Sequence, residues 1–175
     1  MDEDIFDVVD AEDAVVGRAP RSVVHARGLM HRSAHILVFS ADGGKILLQL
    51  RSAQKDLYPL RYTTSVSGHV DSGESYVQAA LREMREEIGV AAGEEDLRFV
   101  GKIPPSARTG WEFTAVYEFR CPMDTQFKPQ PSEVERLEWR GVGQFERDIA
   151  EMPQKFTPSF LEAYALFAKE GGRAV

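Results

Sequence analysis

Gly68, Glu74, Arg82, Glu83, Glu86, Glu87 and Gly89 fall in one run, GHVDSGESYVQAALREMREEIGV, residues 68–90. As spacing it reads G-x5-E-x7-R-E-U-x-E-E-x-G-U, with Met84 and Val90 as the apolar U positions. The stretch from Ser75 to Ile88 has no proline or glycine, and Val77, Ala80, Leu81, Met84 and Ile88 follow the rhythm of an amphipathic helix. Gly89 stands where such a helix would stop. At roughly 100° per residue, Glu83, Glu86 and Glu87 project within an arc of about 100°, beside the apolar stripe and so at the rim of the core. Carboxylates that close repel one another and hold protons unless a cation intervenes. Hard oxygen donors with room for water suit Mg²⁺ or Mn²⁺. Arg82 lies one turn before Glu86 and can pair with it, and Glu74 can hold the arginine. Gly68 and Gly73 allow a tight loop to approach a metal or a phosphate. A solvated helix with i, i+4 ion pairs explains any one of these glutamates, but not the whole pattern.

With every signature position filled, the run resembles the Nudix box. The resemblance implies an α/β protein, an α/β/α sandwich with a mixed central sheet, that hydrolyses a diphosphate linkage with the help of Mg²⁺ or Mn²⁺. It implies Glu83, Glu86 and Glu87 as metal ligands together with Gly68, with Arg82 and Glu74 ordering the site. The general base is left open between Glu86 and a carboxylate of the loop PQPSEVE, Glu133 or Glu135.

The elements that must position these groups can be read on either side. Residues 5–9 and 14–16 suggest a strand pair about a turn at Asp10–Asp13, and Pro20 to His25 a helical turn. His35–Phe39 and Lys45–Leu50 are apolar runs joined by Ser-Ala-Asp-Gly-Gly, a hairpin signal. Tyr62–Ser67 reads as the strand feeding the box. Strands are expected at Leu97–Ile103, Glu112–Phe119 and Val134–Trp139, and a helix at Gly143–Met152. A last helix is marked by Thr157 as N-cap, Pro158 at its first position and Phe160, Leu161, Tyr164 and Phe167 at helical spacing. The final GGRAV reads as a loose end. Residues 1–175 are expected to form one domain, with an N-terminal extension over about 1–30.

The net charge of −7 offers no basic footprint, which argues against nucleic acid but not against a metal-bound phosphate substrate. Cys121 is the only cysteine, which suits a reducing cytoplasm, and no long apolar run points to a membrane. A small-molecule diphosphate is the expected partner. The N-terminal hairpin is as suited to a homodimer interface as to a lid.

A closer resemblance covers most of the chain. A His-bearing N-terminal segment, the GGKILLQLR strand, Lys55, a Tyr-Pro turn and TTSVSGH look like the Nudix branch that contains type I isopentenyl-diphosphate isomerases. That branch implies a second metal site at His25, His31, His69 and Glu112, and phosphate contacts from Arg51 and Lys55. Arg61, Lys102 and Arg108 are weaker phosphate candidates, and Tyr58, Trp111 and Phe113 could stack on a base. The isomerases carry a cysteine where this chain has Ser67, and a Glu-x-Glu where it has Gly110-Trp111-Glu112. A serine hydroxyl is a far poorer proton donor than a thiol. The scaffold therefore resembles an isomerase while the chemistry reads as hydrolysis. An isomerase of allylic diphosphates and a non-catalytic ligand sensor are the alternatives. His35, within an apolar strand, reads as structural.

Overall fold

The computed structural model describes residues 3–171. The expected loose end therefore lies outside the described residues beyond Gly171. The chain opens with a two-stranded antiparallel hairpin, β1 (Ile5–Val9) and β2 (Val15–Pro20), followed by a short helix α1 (Arg21–Arg27). Strands β3 (His31–Ser40), β4 (Lys45–Arg51), β5 (Tyr62–Thr63) and β6 (Val66–His69) lead into α2 (Tyr76–Ile88). Strands β7 (Leu97–Ile103), β8 (Glu112–Cys121) and β9 (Val134–Gly141) follow, then helices α3 (Val142–Glu151) and α4 (Pro158–Lys169).

The seven strands β3–β9 make one mixed sheet. Strand β3 lies at its centre, parallel to β8 from His31 opposite Glu112 to Ser40 opposite Cys121, while the other pairings are antiparallel. Its continuous apolar run is what a strand covered on both faces requires. Ala34, Ile36 and Val38 pack with Ala80, Met84 and Ile88 of α2, while Leu37 and Phe39 pack with Phe145 of α3 and Phe160 and Phe167 of α4. Helices thus cover both faces, giving the expected α/β/α sandwich. Among the described residues no helix is long and apolar enough to cross a membrane.

Two local features shape the site. The stretch expected as one strand at Tyr62–Ser67 is split, because Ser65 turns its hydroxyl into the sheet. That oxygen accepts Val38 N–H at 2.9 Å and donates to Leu47 C=O at 2.6 Å. It occupies backbone groups that β3 and β4 would otherwise offer each other, and their ladder is reduced to Phe39 opposite Ile46. The sheet forks there, with β6 on the β3 prong and β5 on the β4 prong.

The second feature is the start of α2. Ser75 accepts Gln78 N–H at 3.3 Å while the Gln78 side chain accepts Ser75 N–H at 2.9 Å, a reciprocal capping box. Gly89, at φ +71°, ends the helix in the left-handed conformation. Replacing Ser75 by Ala removes the hydroxyl acceptor and is expected to cost about 1 kcal/mol. For a chain of this size, that lowers the melting temperature by roughly 2–4 °C, which calorimetry would register.

Candidate active site

Arg82 organises the acidic face of α2. Its Nε and Nη2 donate to the two carboxylate oxygens of Glu74 at 2.9 and 3.0 Å, a bidentate pair. Nη1 donates to Glu83 at 2.6 Å and to Glu86 at 3.3 Å, and Nη2 also reaches His69 C=O at 2.9 Å. A guanidinium has five N–H donors, so these five bonds leave none for a substrate oxygen. Glu74 in turn accepts Asp71 N–H at 3.0 Å, which closes the loop before the helix.

The three helix glutamates differ in depth. Glu86 is exposed, Glu83 is partly buried, and Glu87 lies inside the core rather than at its rim. Glu87 accepts Gln49 Nε2–H at 2.9 Å and Ser67 N–H at 3.2 Å. Burial, reinforced by the charge of Glu83, pushes the Glu87 carboxyl up to about 8 despite those two hydrogen bonds. Burial likewise raises Glu83 to about 7, against the opposing pull of Arg82. Both carboxyls are therefore held above the ordinary range of a glutamate, a penalty that a stronger cation than one arginine would offset.

Gly68 corrects one expectation. It lies in β6 rather than in a bend, and its backbone is not left-handed. What it supplies is room: a Cβ there would sit 2.0 Å from Cδ of Glu83. Gly73, at φ +88°, is the residue that turns the loop.

Across the fork, Arg51 at the end of β4 donates from Nε and Nη2 to Leu57 C=O at 3.1 and 3.0 Å. Lys55 is paired with Glu133. Burial lowers the Arg51 guanidinium, against the opposing charges of Glu87 and Glu133. Glu135 is exposed on β9. Three weaker candidates are engaged elsewhere: Lys102 with Asp13, Arg108 with Glu162 at 2.9 Å, and Arg61 over the Tyr58 ring. Tyr58 and Trp111 are exposed aromatics, whereas Phe113 is buried and not free to stack on a base. Gln49 was not anticipated, although a lone amide in the apolar strand KILLQLR is a visible signal.

His25, His31, His69 and Glu112 come together from α1, β3, β6 and β8, with one ligand atom of each within 4.8 Å of the others. His69 Nε2 lies 3.3 Å from His25 Nε2 and 3.2 Å from Glu112 Oε1. His31 Nδ1 is satisfied by Leu29 C=O at 2.9 Å, but its buried Nε2 has no hydrogen-bond partner and sits 3.5 Å from Glu112 Oε1. Burial, helped by the neighbouring histidines His69 and His31, lowers His25 to about 4, so its imidazole is neutral and able to ligate. Burial opposes ionisation of Glu112, but the close imidazoles of His31 and His69 outweigh it and hold the carboxyl well below its ordinary range. Three imidazoles, one of them with an orphaned buried nitrogen, and one carboxylate fit a divalent cation. By contrast His35 is buried and bonded to Thr64 Oγ1 at 3.2 Å, as a structural residue should be.

The NUDIX domain family matches residues 29–160, which span β3 to the first turn of α4. The chain belongs to the Nudix hydrolase family. Among its relatives is a Nudix hydrolase of Streptomyces coelicolor described as uncharacterized, 38% identical over 93% of this chain and 87% of its own length. An isopentenyl-diphosphate Delta-isomerase of Nocardia farcinica is 30% identical over 95% of this chain and 98% of that protein. A prenyl-diphosphate phosphatase of Methanosarcina mazei is also 30% identical, over 93% of this chain and 94% of that one. The crystal structure of DR0079 from Deinococcus radiodurans superposes with a TM-score of 0.71 at 29% identity, covering 85% of this chain and 90% of the other. The Nudix fold and the kinship with the isomerase branch are thus both established.

For this Nudix hydrolase, Gly68→Ala is expected to push Glu83 out of place. Activity on any accepted substrate should fall at least about tenfold, equivalent to about 1.4 kcal/mol of transition-state stabilisation. An unchanged circular dichroism spectrum would separate that loss from unfolding.

Proposed function

We propose that the protein is a divalent-metal-dependent pyrophosphohydrolase that cleaves a diphosphate linkage in a small phosphorylated molecule. The observation that carries this reading is the complete carboxylate set on α2, with Glu83 and Glu86 ordered by one fully committed arginine and Glu87 by Gln49 and the Ser67 amide. Glu83, Glu86 and Glu87, with the Gly68 backbone, would hold Mg²⁺ or Mn²⁺ there. Such an ion supplies a lowered pKa for bound water and charge neutralisation on the diphosphate. Arg51 and Lys55 stand to meet the phosphate oxygens from the opposite prong of the fork. Glu86 is the better candidate for the base that takes the proton of the attacking water, because it faces solvent. Glu133 is held by Lys55 and would have to release it first. The second centre, His25, His31, His69 and Glu112, would hold a further divalent ion.

Two substrate classes compete. Nucleoside diphosphate derivatives suit the general reading of the box. The similarity to the Methanosarcina mazei prenyl-diphosphate phosphatase over nearly the whole chain favours a prenyl diphosphate. So does the exposed apolar loop of Leu57, Tyr58 and Leu60, which follows Arg51 and Lys55. Hydrolysis is favoured over isomerisation because Ser67 offers a hydroxyl, a far poorer proton donor, where the isomerases carry a thiol.

A panel of nucleoside di- and triphosphates, dinucleotides, nucleotide sugars and prenyl diphosphates, assayed with Mg²⁺ and with Mn²⁺, tests the proposal. Release of phosphate or of a monophosphate is expected, and Glu87→Gln should lower it roughly 100-fold or more, the scale of a lost charge-stabilising group. Conversion of isopentenyl to dimethylallyl diphosphate without phosphate release would instead identify an isomerase. Binding without turnover would identify a sensor.

Metal uptake should also depend on pH. Glu83 and Glu87, raised to about 7 and about 8, must lose protons as the ion enters. Affinity is therefore expected to climb from about pH 6 to about pH 9 and to level off above, with proton release visible by calorimetry in buffers of different ionisation enthalpy.

A further inference from the structure

The N-terminal hairpin touches both centres through consecutive residues. Phe6 is buried, and its ring stacks on His31 (centroids 5.8 Å apart, planes 3° apart) and on His69 (4.7 Å, 24°). Its neighbour Asp7 is also buried and reaches the loop before α2. One Asp7 oxygen accepts Ser72 Oγ–H at 2.7 Å, the other accepts Gly73 N–H at 3.1 Å, and Arg18 Nε lies 3.2 Å from the first. Ser72 N–H donates to Ile5 C=O at 2.9 Å, and Phe6 bridges to Asp71. The loop is thus bonded to β1 along its outer side. On its inner side, Asp71 N–H bonds Glu74, and Glu74 grips Arg82.

We propose that Asp7 is a positioning residue for the acidic centre. By fixing Ser72 and the left-handed Gly73, it sets the angle at which Glu74 meets Arg82, and through Arg82 the orientation of Glu83 and Glu86. The turn through Gly73, at φ +88°, is closed on itself by Glu74 N–H to Asp71 C=O at 2.9 Å, and the Asp7 carboxylate is the side chain that ties both of its central residues to β1. The hairpin is then the outer brace of the site. The argument rests on the box being the reaction centre, so one arm of the test needs no substrate.

In that arm, ¹⁵N NMR of the metal-free protein follows the Nε–H of Arg82. Asp7→Ala should speed its exchange with water at least tenfold, with Asp7→Asn, which keeps one acceptor oxygen, falling between. In the second arm, on whichever diphosphate of the panel is hydrolysed, Asp7→Ala should lower kcat tenfold or more with KM changed less than threefold. Thr157→Ala removes a helix cap on the far side of the sheet and serves as a destabilised control that leaves both readouts unmoved. Unchanged Arg82 exchange in a folded Asp7→Ala protein overturns the proposal, as does a loss that Thr157→Ala reproduces. If the wild type hydrolyses nothing on the panel, the functional reading fails while the Arg82 measurement still decides the role of Asp7.

Discussion

The guanidinium of Arg82 brings one positive charge into a shell of carboxylates from Glu74, Glu83 and Glu86, with Asp71 3.7 Å away. Its planarity fixes the shell: two parallel donors face Glu74, and the remaining edges point to Glu83, Glu86 and the His69 carbonyl. An ammonium with three rotatable donors would not specify these directions. Buried ion pairs contribute little net stability, since desolvation offsets much of the attraction. The network's contribution is therefore geometric. It keeps Glu74, Glu83 and Glu86 at close quarters with their oxygens already oriented, while burial raises the carboxyl of Glu83 and that of Glu87, which lies deeper and outside the network.

The fold supplies what that network cannot. Strand β3, apolar on both faces, fixes the sheet; Ser65 then parts β3 from β4, so that Gln49 on one prong and Ser67, Gly68 and His69 on the other converge beneath α2. Helix α2 is seated by Ala80, Met84 and Ile88, which dictates that Glu83 and Glu87 turn toward the fork. Each carboxylate is positioned by packing several residues away, not by local propensity.

Much of this was legible in the chain. The box spacing, the helix with its terminal Gly89, the Thr157 cap and the assembly of His25, His31, His69 and Glu112 correspond to features found in three dimensions. Local pattern was blind where long-range contacts decide. Tyr62–Ser67 reads as one strand because nothing in a threonine- and serine-rich run shows that one hydroxyl will wedge into the sheet. Gly68 reads as a bend because the side chain demanding its space, Glu83, lies fifteen positions away on a different element. Helical periodicity put Glu87 at the rim, whereas Gln49 and the Ser67 amide, both distant in sequence, stabilise it deeper inside. Phe6 and Asp7 carried no signal, since a short acidic hairpin gives no hint of what it will press against.

His69 belongs to both centres in different ways. Its imidazole lies with His25, His31 and Glu112, while its main-chain oxygen serves Arg82. Any amino acid at this position would still present that oxygen, so only the ring ties the residue to the imidazole cluster. Exchanging the three imidazoles would therefore leave this carbonyl bond in place, whereas losing Arg82 would remove it and leave β6 joined to α2 by the Ser67–Glu87 bond and by the packing of Val66. The two centres share one residue yet draw on different halves of it, so the chemistry of either can change without the other's.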